Sequence, residues 1–200
     1  ASVPARRAHG RPNQRHRTRR ELLSAAARLL KQGATPRIVE VAQPARVSRA
    51  TAYRYFPTLD PLLVDAPLEG DTPDPEALFA RDGTKNPEER IDAAEAALHE
   101  MVYRNEAQLR RLLSNSLTRA PGGRHAIPVR QNRRSPLIEA ALAPVKRRLT
   151  KGAYQRLCAA LVVYFGPEAM VVFRDVLQLD ETQARKIKSW AVRTLVRAAL

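Results

Sequence analysis

The run Ser48-Arg49-Ala50-Thr51-Ala52-Tyr53-Arg54-Tyr55 gathers hydroxyls, guanidinium groups and phenols, with no carboxylate among them. These side chains donate to anionic oxygens and to base edges, which is the chemistry of nucleic-acid contact. Placed on a short helix, Ser48 is the cap, and it leaves orphan N–H groups where a phosphate can sit. Arg49, Ala50 and Thr51 then form an exposed first turn, the part of a recognition helix that meets major-groove base edges. Tyr53 and Tyr55 offer phenolic hydroxyls to flanking phosphates, while Val47, Ala52 and Phe56 supply the buried side. The competing reading is an ordinary short helix of a small bundle, with half-buried tyrosines and solvated arginines; motif shape alone leaves the two near balance.

Catalytic readings have less to stand on. The four histidines, His9, His16, His99 and His125, are scattered, and neither a nucleophile motif nor a phosphate-cradling glycine pattern is present. Glu88 and Glu89 are explained as first-turn carboxylates favoured by a helix dipole. The single cysteine, Cys158, lies in an apolar run, which gives no disulfide framework and no CxxC pair for zinc. The expectation is a non-enzymatic protein of a reducing cytoplasm, with no cofactor and no metal.

Charge supports an anionic partner. The 200 residues carry 35 Lys and Arg against 20 Asp and Glu, a net charge of +15. Arg outnumbers Lys 29 to 6, so part of this basicity fits a compositional bias as well as a function. Its distribution is more telling: residues 1–65 hold +9, whereas residues 66–200 hold +6. The 44% apolar content is enough for a buried core. The longest apolar stretch, Leu157 to Phe165, is about half of the ~20 residues a membrane-spanning helix needs, so no membrane span is expected.

The elements that must position these residues are helices throughout. Residues 1–17, basic and acid-free, read as a flexible arm. Thr18-Arg19-Arg20-Glu21 has capping-box spacing, Leu22, Ala26, Leu29 and Leu30 define one helical face, and Gly33 offers a stop. Thr35-Pro36 predicts the start of a second helix, kept short because Pro44 biases Gln43 away from helical angles. The Ser48 helix follows, closed by Pro57, and Thr58 opens a fourth. Residues from Ala66 to about Asn86, rich in Pro, Gly and Asp, predict a connector with one helical turn at Glu76–Ala80. Helical periodicity resumes over 87–104 and 106–117, a mobile loop is expected over 119–135, and further helices over 136–150, 152–165, 167–178 and from Asp180 to about Ala199. No strand pattern competes.

On these residues the stretch Thr18–Leu63 resembles the DNA-binding domain of the TetR (tetracycline repressor) family. Ala25-Ala26, Leu29-Leu30, Gly33, Val41-Ala42, Ala45, Val47-Ser48, Tyr53, Tyr55-Phe56 and Leu62-Leu63 fall on its pattern, and Val-Ser-x-x-x-x-Tyr-x-Tyr-Phe is the most specific part. The segment from Gly166-Pro167-Glu168-Ala169 to Trp190 is similar to some members. There are departures: Arg46 stands where the family usually has a turn glycine, Pro44 where the second helix continues, Ala52 for a larger aliphatic, Arg37 for a Thr, and Leu59 for a phosphate-binding Lys. The resemblance implies an all-α protein with a helix-turn-helix domain over 18–65. A helical dimerisation and ligand domain over 66–200 would form the homodimer. Such a regulator binds a partly palindromic double-stranded DNA operator, here expected through Ser48, Arg49, Ala50, Thr51, Tyr53 and Tyr55, and is released by a small molecule; Arg46, though a departure, is a further candidate for a phosphate contact that offsets the missing Lys.

In the second domain Leu157, Leu161, Tyr164 and Phe165 form one stripe with Val162 and Val163 beside it, and Ile187, Ala191, Leu195 and Ala198 form another beside Val192, Val196 and Ala199. Helices apolar over so wide an arc are buried on more than one side, and the resemblance implies pairing of two such helices with their copies. Met101, Tyr103, Leu109, Leu112, Leu113, Leu117, Ile138, Leu142, Tyr154 and Trp190 are the candidates for lining a site for an apolar small-molecule ligand, although plain core is the commoner fate of such residues. Two other functions remain open: a nonspecific nucleic-acid binder, and a ligand-binding module whose DNA head has degenerated, as Arg46, Pro44 and Leu59 permit.

Overall fold

A computed structural model describes residues 11–80, 84–117 and 130–200, and among them every regular element is a helix. The elements are α1 (Arg11–Lys31), α2 (Ile38–Ala42), α3 (Arg49–Tyr55), α4 (Leu59–Asp71), α5 (Pro75–Ala80), α6 (Pro87–Arg104), α7 (Glu106–Leu117), α8 (Arg134–Leu142), α9 (Lys151–Val162), α10 (Pro167–Val171) and α11 (Glu181–Ala199). A 3₁₀ segment, Ala143–Arg148, follows α8, and a wider π-type turn, Val172–Val176, follows α10. The chain divides into two compact units. One holds the described residues up to Gly70 with those of Ser114–Gln131, and the other holds those of Asp71–Leu113 and Asn132–Leu200.

In the first unit a single core joins α1 to α4. Leu22, Leu23, Ala25, Ala26 and Ala27 from α1 meet Ile38, Val41 and Ala42 from α2, Ala52 and Tyr55 from α3, Phe56, and Leu62 and Ala66 from α4. Small alanines on α1 let its neighbours approach closely, and Gly33, at φ 80°, turns the chain out of the helix as expected. The start of α1 differs from the expected one. It begins at Arg11, so Thr18 lies inside the helix, and Glu21 pairs with Arg17 one turn back at 3.4 Å instead of reaching a cap. The basic arm expected over 1–17 is therefore helical from residue 11; its residues 1–10 lie outside the described residues.

The second helix is also shifted. The Glu40 carboxylate accepts the Arg37 backbone N–H at 2.9 Å and grips its guanidinium, which moves the helix start from Thr35-Pro36 to Arg37-Ile38. Gln43 keeps helical angles (φ −67°, ψ −51°) despite Pro44. The reason lies in the next turn. The Val47 N–H reaches the Ala42 carbonyl at 3.0 Å and the Arg46 N–H reaches Gln43 at 2.9 Å, the paired bonds of a Schellman ending. That ending needs a left-handed residue, and Arg46 takes the role at φ 55°. Val47 beyond it packs on the core.

Where the composition predicts a connector from Ala66, α4 instead runs on to Asp71 with Pro67 inside it. Pro67 faces outward while Leu62, Asp65, Ala66 and Leu68 are buried, so packing on both sides of the ring outweighs one missing backbone bond. The expected short helical turn is α5.

The second unit is built on α6, which packs against α8 and α11, with α9 closing onto α8 and α11. Ile91, Ala94, Leu98, Met101 and Val102 of α6 are buried, as are Leu137, Ile138, Ala141 and Leu142 of α8, Leu157 and Leu161 of α9, and Val192 and Val196 of α11. Asn86 caps α6, Thr150 caps α9, and Asp180 with Gln183 boxes α11. Gly166, at φ 104°, precedes α10, and the Arg134 guanidinium lies where a Cβ would project; Arg134 in turn pairs with Glu168. The loop expected over 119–135 lies mostly outside the described residues, and α8 already begins at Arg134.

No single helix among the described residues is long and apolar enough to cross a membrane. Among the described residues only α9 together with α10 and its π-type turn has the length and apolarity, as a pair bent by 46°, and Leu157, Leu161, Ala169 and Met170 in it are core residues.

Candidate nucleic-acid interface

The local geometry around α3 follows from its cap. Ser48, in an extended conformation, accepts the Thr51 N–H at 3.1 Å, and its own hydroxyl donates to Thr51 Oγ1 at 2.9 Å. Thr51 is thereby held half-buried against the cap, with its hydroxyl proton left to donate. Arg49 and Ala50 stand exposed beside it, and Arg46 is exposed on the turn before. From Val41 to Leu59 there is no carboxylate, while Arg46, Arg49 and Arg54 all lie on the outside.

The two tyrosines part company. Tyr53 is 47% exposed, on the same outward side as Arg49, whereas Tyr55 is only 7% exposed and its ring belongs to the core. The expected pair of tyrosines is thus one exposed ring, Tyr53, and one core ring, Tyr55. Three residues from Ala52, Tyr55 shares its inward side, and a helix of seven residues has only one such side to bury.

Sequence reasoning missed what fixes this helix from behind. The Arg19 guanidinium of α1 donates to Asp65 of α4 at 2.9 Å, with both side chains almost wholly buried, and its central carbon lies 4.3 Å from the Phe56 ring centroid. Phe56 is the residue at which α3 ends. The signal was available only as an isolated Arg and an isolated Asp 46 positions apart, which no local pattern links. Arg37 was noted merely as a substitution. It lies on the exposed surface with Glu40, whose carboxyl is held below its ordinary range by the bonds from Arg37.

The residues expected to line a ligand site divide into buried and exposed ones. Met101, Leu109, Leu112, Ile138 and Leu142 are buried core residues, and Leu113 is half-buried. Leu117 is 76% exposed and Trp190 is 69% exposed, so neither lines an interior site; both end on the outer faces of their helices. Tyr154 has a buried hydroxyl, and burial pushes its phenol above the ordinary range, helped by Cys158. Tyr103 stacks at 4.4 Å on His99, beside a charged cluster the sequence did not reveal. There Glu95 and Lys188 pair at 2.5 Å with both side chains buried, and Arg185 joins Glu95 at 3.2 Å and Asp92 at 2.7 Å. Burial pushes the Glu95 carboxyl up and the Lys188 ammonium down, each against its partner's pull.

The apolar stripes are likewise rearranged. Leu157, Leu161 and Phe165 are buried inside their own unit, as are Ala191, Val192 and Val196. Among the described residues of this unit the large apolar side chains left outward are Val163, Ile187, Trp190 and Leu200, together with Val172, Val176 and Leu177 of the π-type turn and its end. The α9 stripe is thus mostly core, whereas the α11 stripe is split, with Ala191 buried, Leu195 half-buried and Ile187 and Ala198 exposed.

Comparison with protein-family models, curated proteins and solved structures finds no match to the chain.

Proposed function

We propose that the chain is a DNA-binding transcriptional regulator of the TetR kind, with α2, the Arg46 turn and α3 acting as its helix-turn-helix. It binds a partly palindromic operator as a homodimer and represses until a small molecule releases it. The observation that carries the reading is the outward side of α3. Arg49, Ala50 and Tyr53 project together with no carboxylate from Val41 to Leu59, on a helix whose inner side is locked into the α1–α4 core. Arg49 and Thr51 read base edges, Tyr53 and Arg46 hold phosphates, and Tyr55 positions the helix from inside. Val163, Ile187 and Trp190 are the apolar side chains at the end of α9 and on α11 left free to meet a second copy.

The test is selection of duplexes from a random library by the full chain, followed by titration. A selected site should bind ~10³-fold or more tightly than random duplex. Equal affinity for both overturns the reading in favour of sequence-independent binding.

A further inference from the structure

Many cations of the second unit are neutralised where they stand. Arg110 and Arg174 share Glu106, with Arg110 also gripping Asp175; Arg134 has Glu168; Arg185 and Lys188 have Glu95; Arg193 has Asp92; and Arg197 has Glu88. Lys85, Arg104, Arg111, Arg156 and Lys186 are likewise exposed without an ion-pair partner, but Lys146, Arg147, Arg148 and Lys151 are concentrated within six residues. All four are exposed, and none has an ion-pair partner among the described residues. The sequence supplies no counter-charge nearby either, since no Asp or Glu occurs from residue 140 to residue 167.

The backbone sets these cations on one short segment. Val145 is buried and Leu149 half-buried, which pins the 3₁₀ segment by its apolar residues. Lys146, Arg147 and Arg148 lie exposed between these two apolar anchors, and Lys151 follows at the start of α9. The Lys146 ammonium leans over the Tyr154 ring at 5.2 Å, a cation–π contact that keeps its charge in place. Glu139 is the carboxylate whose charge reaches Tyr154 and Cys158 at this corner, and it forms no ion pair with Lys146. No large apolar side chain is exposed between Leu117 and Val163 among the described residues, so the surface has nothing to insert into a bilayer.

We infer that Lys146, Arg147, Arg148 and Lys151 form a second phosphate-contacting surface, which holds the backbone of duplex DNA without reading its sequence. The preference for DNA over an acidic protein rests on the regulator reading above; the cationic surface itself does not. Four compact charges on a pinned turn add affinity through counterion release, and they add it equally for every duplex. The protein therefore grips DNA at two places, and only one of them discriminates.

The experiment compares the full-length wild type with Lys146→Gln/Arg147→Gln/Arg148→Gln/Lys151→Gln, titrating a fluorescent random-sequence duplex over a range of salt. Thermal melts of both proteins check folding. The variant should bind random duplex at least about tenfold more weakly near 0.1 M salt, and its salt slope should fall by ~0.9 for each phosphate no longer neutralised. The affinity ratio between a selected and a random duplex should stay unchanged, and Arg147→Lys/Arg148→Lys should bind as the wild type does. An unaltered affinity and slope overturns the inference, as does a shifted sequence preference. Binding of phosphatidylserine vesicles that the variant loses, with duplex binding intact, overturns it in favour of a membrane surface. Failure of the regulator reading shows elsewhere, as an unchanged preference in α3 variants, so the two outcomes are separable.

Discussion

Arg19 and Asp65, 46 residues apart in sequence, meet at 2.9 Å in the core beneath α3, with the guanidinium packed on Phe56. Removing one member of such a pair leaves an uncompensated buried charge, which costs about 3–5 kcal/mol. Asp65→Ala should therefore lower stability by that order and loosen the end of α3, while Arg19→Met/Asp65→Leu should recover most of the loss. Denaturant melts of the three proteins check this. Equal stability of Asp65→Ala and the wild type would remove the pair from any part in positioning α3.

Arg46 turns the chain between α2 and α3 in a left-handed conformation at φ 55°, which costs a side chain with a Cβ about 1 kcal/mol relative to glycine. Arg46→Gly should raise stability by roughly that amount, and Arg46→Ala should not, because it keeps the Cβ. Both substitutions remove the same charge, so both should flatten the salt dependence of DNA binding alike. A melt in which alanine stabilises as much as glycine would show that backbone strain is not the cause.

The helices were legible in the sequence wherever local chemistry determines them. Ser48 and Asp180 cap the helices that the residue pattern assigned to them, and the apolar spacing of 87–104 and 106–117 matches α6 and α7. The errors arise where a specific bond or a packing contact overrides the signal of a single residue type. Pro44 and Pro67 read as breaks, yet the Schellman bonds at Val47 and Arg46 and the burial of Leu62, Ala66 and Leu68 hold helical geometry at each. The inward face of Tyr55 was legible from its three-residue spacing to Ala52, but its phenol type pointed the other way. The Glu95–Lys188 cluster was invisible because its members are on helices far apart in the chain, and each charge alone resembles a solvated residue.

Burial pushes the His99 imidazole down to about 3, with Lys188 and Arg185 adding to the effect. In the unfolded chain the same group titrates near 6.5. Between those values the unfolded state binds the extra proton, so stability is intact above about pH 6.5 and falls as pH drops toward 3. For this one group the loss is about 2 kcal/mol by pH 5. His99→Leu removes that proton, and its stability should decline less steeply over the same interval. Parallel pH profiles for the two proteins would exclude His99 as the source.

Leu161 is wholly buried, whereas Trp190 is 69% exposed on α11, and this difference separates folding from assembly. Leu161→Glu should unfold the second unit, since it places an unpaired charge in the core. Trp190→Glu should leave the melt within about 0.5 kcal/mol of wild type and shift the solution mass from dimer toward monomer. Light scattering at micromolar concentration distinguishes the two. A Trp190→Glu protein that keeps the wild-type mass would move the self-association surface away from this face of α11.

The outward side of α3 divides into residues that must fail in different ways. Arg49 is exposed in its first turn, and Thr51 is held by Ser48 at 2.9 Å with its hydroxyl proton free to donate; on the proposed reading these two meet base edges. Arg49→Ala or Thr51→Ala should cost ~1–3 kcal/mol on a selected site, relax preference at particular base pairs and disturb nonspecific binding less. Tyr53→Phe removes a neutral, exposed hydroxyl, so it should weaken all duplexes alike and barely move the salt slope. Tyr55→Phe, by contrast, alters a ring that lies in the core, and its effect should appear in the melt before it appears in DNA binding. If α3 were only a short solvated helix, Arg49→Ala and Tyr53→Phe would be silent for DNA. Quantitative binding of each variant across a library of operator variants, with melts to exclude unfolding, separates these cases. An unchanged preference profile in both Arg49→Ala and Thr51→Ala would remove α3 as the element that reads sequence.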